Sequence, residues 1–199
     1  MEKFSLERAL SLESKYDDSL RTRPISPWLS KFVFYFSVIF AIYHYVTAGI
    51  GVPVDYWHMG AHISGVLILI FISFPAFKSS YDGDSPRKGI FSPLGVPFYD
   101  WALMIMGIAA SLYVGVTWYG FEINFFGFTY FIPEQVLRMG VPLPVDVVFG
   151  TLLIIVLLEA VRRTIGIIVP IIILIFIGYA VLGPHIPIQI LRHPGLSWS

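Results

Sequence analysis

Apolar residues gather in five long runs divided by short polar or breaker-rich stretches. The first runs from residue 32 to about 50, the second over about 60–77 and the third over 101–119. The fourth covers about 145–160 and the fifth about 167–182. Each has roughly the length needed to cross a hydrocarbon layer of ~30 Å, the last two only just. Val and Ile are plentiful in those two. In water that would hint at buried strands, but a lone strand in lipid leaves its backbone groups unsatisfied, so the expected element is a helix throughout. The pattern predicts an all-α integral membrane protein with about five transmembrane helices.

Around the runs the chain divides into a charged leader over 1–31, a membrane helical domain over 32–183 and a tail over 184–199. The leader shows no apolar core or small-residue cleavage site of a signal peptide. A short helix over 5–14 is weakly indicated, with Pro24 and Pro27 ending it before the membrane. Trp28 and Lys31 suit the membrane interface. Only residues 161–166 separate the fourth and fifth runs. Either Gly166 turns the chain in a tight hairpin, or one long helix bends near Pro170. The 120–144 connection is rich in Phe and Tyr. It is expected to lie in the interface as a partial helix or to pack as a hydrophobic loop on the helix ends.

Composition sharpens the picture. Of 199 residues, 56% are hydrophobic and 13% charged, with mean hydropathy +0.76. The charged share is about half that of an ordinary soluble domain, so lipid is the expected solvent and partner for much of the surface. Thirteen basic and thirteen acidic residues balance to zero, which gives no reason to expect nucleic acid. Cysteine is absent, which removes disulfides, thiol catalysis and thiolate metal sites.

The basic residues set an orientation. Six Lys and Arg fall in the leader, three in the 78–100 loop (Lys78, Arg87 and Lys88) and two in the fourth-to-fifth link. Only Arg138 and Arg192 fall on the other side. The positive-inside rule then puts the N-terminus in the cytoplasm, and an odd number of spans puts the tail outside.

Candidate chemistry is sparse and lies at span ends. His58 and His62 are four apart on one helix face, and with His44 they offer nitrogens for a metal or a haem iron. The plainer expectation is that His44 and His62 hydrogen-bond between helices near the outer interface. Asp100 and Asp146 open the third and fourth spans, where each favours the helix N-terminus through the backbone dipole. Glu159 and Arg163 are i,i+4 and can pair beside Arg162. Gly107, Ser111 and Gly115 offer a small-residue packing face. No charged residue falls in the middle third of any span, where ion-coupled transporters usually place their sites. Hydrolase, metalloprotease and P-loop motifs are lacking, so neither an enzyme nor a bound cofactor is expected.

Several stretches together resemble one family: Tyr43-His44-Tyr45-Val46-Thr47-Ala48-Gly49, then His62, then Tyr99-Asp100-Trp101. Further on come Leu157-Leu158-Glu159-Ala160-Val161-Arg162-Arg163-Thr164-Ile165-Gly166, Val169-Pro170-Ile171 and Leu182-Gly183-Pro184. Their order is similar to the N-terminal, small-subunit-like membrane region of fused TRAP transporter permeases of the TAXI type, over most of 43–195. The Leu-Glu-Ala-x-Arg-Arg-x-x-Gly stretch is the most specific part. The resemblance implies a multi-pass subunit in a bacterial inner membrane that braces a large permease region. The whole system would be a secondary transporter for organic acids, fed by a periplasmic substrate-binding protein and driven by sodium. In that family a segment like His193-Pro194-Gly195-Leu196-Ser197 runs on into the large region. The stop at Ser199 is expected of a separate small subunit or a piece of a longer permease.

Overall fold

The computed structural model describes Arg8 and residues 22–52, 54–77, 92–138 and 140–198. The weak helix expected in the leader and the charges Lys78, Arg87 and Lys88 lie outside them. Five helices are long and apolar enough to cross a membrane. They are α1 (Pro27–Ile50), α2 (Asp55–Ser73), α3 (Phe98–Thr117), α4 (Pro144–Thr164) and α5 (Ile168–Leu182), the last extended by a short 3₁₀ turn, Gly183–His185.

Local chemistry shifts several boundaries from the apolar runs. The first helix begins at Pro27, ahead of its apolar run. Ser26 accepts the Leu29 N–H at 3.4 Å, and Pro27 takes the first helical position, where a missing N–H costs nothing. Pro27 therefore opens a helix. The second helix starts at Asp55, which places both His58 and His62 on it. It ends at Ser73, before the predicted 77, because Pro75 keeps Phe74 extended. In α4, Pro144 again takes the first position, and the Asp146 carboxylate accepts the Leu143 N–H at 2.7 Å.

The link between α4 and α5 is a tight turn. Gly166 sits at φ +104°, a backbone state that side chains rarely adopt. Val147, Thr151 and Ile154 from the first half of α4 line the same cleft as Ile177, Ala180 and Val181 from the last half of α5. Two halves so far apart in sequence meet only if the helices run antiparallel. Pro170 falls in the first turn of α5 and bends nothing.

The 120–144 connection corrects the expectation of a partial helix or plain loop. It forms an antiparallel ribbon, β1 (Phe121–Phe125) with β2 (Phe128–Ile132), then a short 3₁₀ turn at Gln135–Arg138. Aromatic residues favour extended backbone, and Phe126-Gly127 supplies a two-residue turn. Among the described residues the fold is therefore helical with one β-ribbon.

The core lies where α2, α3 and α4 meet. Leu67, Phe71 and Ile72 of α2 are buried with Met104 of α3 and Val156 and Ala160 of α4, and Leu29 of α1 joins them. The α2–α3 contact is close because small residues face each other. A Cβ on Gly60 would lie 2.8 Å from the Ser111 carbonyl oxygen, and one on Gly107 would lie 2.6 Å from Leu67 Cδ1. Between these points the Ser64 and Ser111 hydroxyls share a hydrogen bond of 2.7 Å. The Gly107-Ser111-Gly115 face is thus consumed within the chain, against α2. Helix α1 differs in burying only Leu29 and Thr47.

Candidate functional site

Two ionic clusters and a histidine cluster stand at opposite ends of the helices. At the first end, α2 stops, α3 begins and α4 stops, while the segment before α1 runs alongside. Asp100, in the first turn of α3, is fully buried and pairs with two guanidiniums. Arg163, from the last turn of α4, reaches it at 2.6 Å, and Arg23, from the segment before α1, closes on its other oxygen.

The same guanidiniums tie down the frayed end of α2. Arg23 Nη2 donates to the Phe74 carbonyl at 2.8 Å, and its backbone N–H donates to the Ser73 carbonyl at 2.8 Å. Arg163 Nη1 donates to Phe74 at 3.3 Å, and Arg162 Nη2 to the Ala76 carbonyl at 2.9 Å. Glu159 holds the two neighbouring arginines, accepting from Arg163 Nε at 2.8 Å and from Arg162 Nε at 2.7 Å. Arg163 also lies over the Phe71 ring, 4.8 Å from its centre. Helix carbonyls left without partners at a C-terminus need donors, and planar guanidiniums supply several at once.

At the second end, Asp146 is the hub. Tyr113 of α3 donates to it at 2.6 Å and Gln135 at 3.2 Å, while Arg138 closes a salt bridge from the 3₁₀ turn. Arg138 also donates to the Pro133 carbonyl at 3.1 Å. The hydrogen bond to Asp146 is the largest cause raising the Arg138 guanidinium above its ordinary pKa. Asp146 does sit in the first turn of its helix. The fastening of the ribbon's return segment to α3 and α4 is a further role that its position in sequence did not reveal.

Beside this end, His44 and His62 bridge α1 and α2. His44 Nδ1 faces the Phe40 carbonyl at 2.8 Å, and a carbonyl only accepts, so this nitrogen carries the proton. His44 Nε2 shares a hydrogen bond of 2.7 Å with His62 Nδ1. His58 Nδ1 meets the Tyr43 hydroxyl at 2.7 Å. The arrangement ties α1 to α2 through two side-chain pairs, with both His44 nitrogens already engaged. Among the described residues no group of three or more His, Asp or Glu converges to hold a metal ion.

Of the residues singled out from sequence, Asp100, Glu159, Arg162 and Arg163 come together in one cluster, and His44 and His62 in another. Arg23 was not anticipated: it sits in a leader with five other basic residues, and nothing local marks it. Tyr113, Gln135 and Arg138 were missed for the same reason, since each gains its role from a fold-back.

No family model, curated protein or solved structure matches this chain. The functional reading therefore rests on the sequence motifs and on the geometry above.

Proposed function

We propose that this chain is a membrane-embedded scaffold subunit or region of a TRAP-type secondary transporter for organic acids, non-enzymatic, in a bacterial inner membrane. The observation that carries the reading is the placement of charge. The charged side chains of α1 to α4 stand near helix ends, those of α3 and α4 held in ion pairs, and α5 has none. Between the ends the described core is apolar apart from the paired Ser64 and Ser111. Such a bundle is built to hold its shape in lipid, and a charged solute would find no polar site at mid-depth.

The motif order shared with TAXI-type permeases supports the same reading, because it includes Asp100, Glu159, Arg162 and Arg163, four members of the buried cluster. The cluster end would face the cytoplasm, where Arg and Lys concentrate, and the Asp146 end the periplasm. Substrate and ion sites would lie in a large permease partner, fed by a periplasmic binding protein.

Affinity purification in mild detergent from cells that also express the large permease tests the proposal. The expected result is stable recovery of that permease with this chain. Recovery of the chain alone would favour a stand-alone assembly protein. Robust organic-acid uptake by liposomes containing only this chain would overturn the scaffold role.

A further inference from the structure

The fastened helix ends leave one guanidinium partly unused. Glu159 is divided between Arg162 and Arg163, and Asp100 between Arg163 and Arg23. Arg163 thus meets both carboxylates, and its side chain is only 1% exposed. Arg162 shares Glu159 and meets no second carboxylate among the described residues, and its side chain is 30% exposed. Its Nε and Nη2 carry the bonds to Glu159 and to the Ala76 carbonyl. Nη1 makes no hydrogen bond among the described residues, so its two N–H groups remain to be offered.

Arg162 lines a cavity of about 500 Å³ between the segment that follows α2, the start of α3 and the end of α4. Glu159 and Arg163 also line it, but the two Glu159 oxygens already accept three guanidinium hydrogen bonds. The remaining walls are Ala76, Phe77, Tyr99 and Leu103. Phe77 and Tyr99 are exposed, and the Arg162 guanidinium lies 5.8 Å from the centre of the Phe77 ring. The cavity therefore sets a cation beside an apolar wall.

An occupant has to answer both parts. A small soluble anion leaves the ring wall in water, and an alkyl chain alone leaves the guanidinium without an acceptor. A zwitterionic headgroup brings an ammonium, and the cavity's one carboxylate is already shared by two arginines. A phosphodiester with a net negative headgroup fits each part, because guanidinium and phosphate make charge-assisted hydrogen bonds while the glycerol and first methylenes cover the rings. Basic pockets between membrane helices bind anionic headgroups in this way. These residues also stand at helix ends, and in a spanning bundle that is the depth of the lipid headgroups.

We propose that this cavity binds an anionic phospholipid, with the phosphate on Arg162 and the glycerol and upper acyl chains against Phe77, Tyr99 and Leu103. The inference rests on the reading that the five helices cross a bilayer, but not on any transporter partner.

Native mass spectrometry of the delipidated full chain in detergent tests it, with phosphatidylglycerol, phosphatidylcholine or glycerol 3-phosphate added separately. The expected result is several-fold tighter binding of the first phosphatidylglycerol than of phosphatidylcholine, with no measurable binding of glycerol 3-phosphate at the same concentration. Arg162→Gln and Phe77→Asp should each bring phosphatidylglycerol down to the phosphatidylcholine level. Arg192→Gln, at an exposed arginine in the tail, should leave the preference intact. Phe77 is 64% exposed, so Phe77→Asp carries the test even where loss of the Arg162 bonds disturbs folding, and thermal unfolding checks both variants. An undiminished preference in either folded variant would overturn the site, and equal binding of glycerol 3-phosphate would overturn the lipid as its occupant. Flotation with phosphatidylcholine–phosphatidylglycerol vesicles after detergent removal separates the two readings. A chain that floats yet shows no preference overturns the site alone, whereas a chain that does not float overturns the membrane reading and the site with it.

Discussion

Gly60 and Gly150 are both helical glycines, yet their environments are opposite. A Cβ on Gly60 meets the Ser111 carbonyl at 2.8 Å, and that atom belongs to the backbone of α3 and cannot swing aside. A Cβ on Gly150 meets nothing within 4 Å. Gly60→Ala should therefore push α2 from α3 and lower stability by ~1–3 kcal/mol. Gly150→Ala should be neutral or stabilising, by up to about 1 kcal/mol, since Ala is the better helix former. Thermal unfolding of the two variants in detergent checks this, and a greater loss from Gly150→Ala would contradict the packing described. The Gly107-Ser111-Gly115 spacing was legible in the sequence as a packing face. The helix that it meets was not, because small-residue spacing marks a close approach without naming the neighbour.

At the scale of elements, Asp100 joins the start of α3, the end of α4 and the segment before α1, and both its partners also hold the end of α2. Removing its carboxylate leaves Arg163 and Arg23 buried without the anion that they share. Breaking a buried pair from one side costs about 3–5 kcal/mol, mostly the penalty of the stranded charge. Asp100→Ala should cost an amount of that order, whereas Arg162→Ala, at a side chain that is 30% exposed, should cost distinctly less. Chemical unfolding in detergent distinguishes them, and equal losses would mean that burial does not set the cost. Sequence spacing gave the Glu159–Arg163 pair because i,i+4 geometry is local. It could not give Arg23 to Asp100, 77 residues apart. The ribbon escaped for a related reason: aromatic residues suit an interfacial helix and a strand alike, and the choice fell to a Phe-Gly turn whose Phe is an unusual occupant.

For the whole molecule, alternation of the five helices places Ser92, before α3, at the Asp100 end. It places Ser197, beside the start of α4, at the other end. In sealed vesicles an impermeant maleimide should label Ser92→Cys and Ser197→Cys from opposite sides. Labelling of both from one side would contradict an odd number of crossings. The balance of basic residues further predicts that the Ser92 side is the cytoplasmic one in cells.

The sequence by itself determined the number, rough length and apolar character of the helices, because burial in lipid is written residue by residue in hydropathy. It also determined that charge stands away from mid-span, and it supplied the short-range pair of Glu159 with Arg163. Only the tertiary structure decided that α4 and α5 form a hairpin, that 121–132 is a ribbon, and that Arg23 and Asp146 are fastening points. Each of those outcomes depends on groups distant in sequence meeting in space, and the free energy of such a meeting belongs to the pair and is carried by neither residue alone.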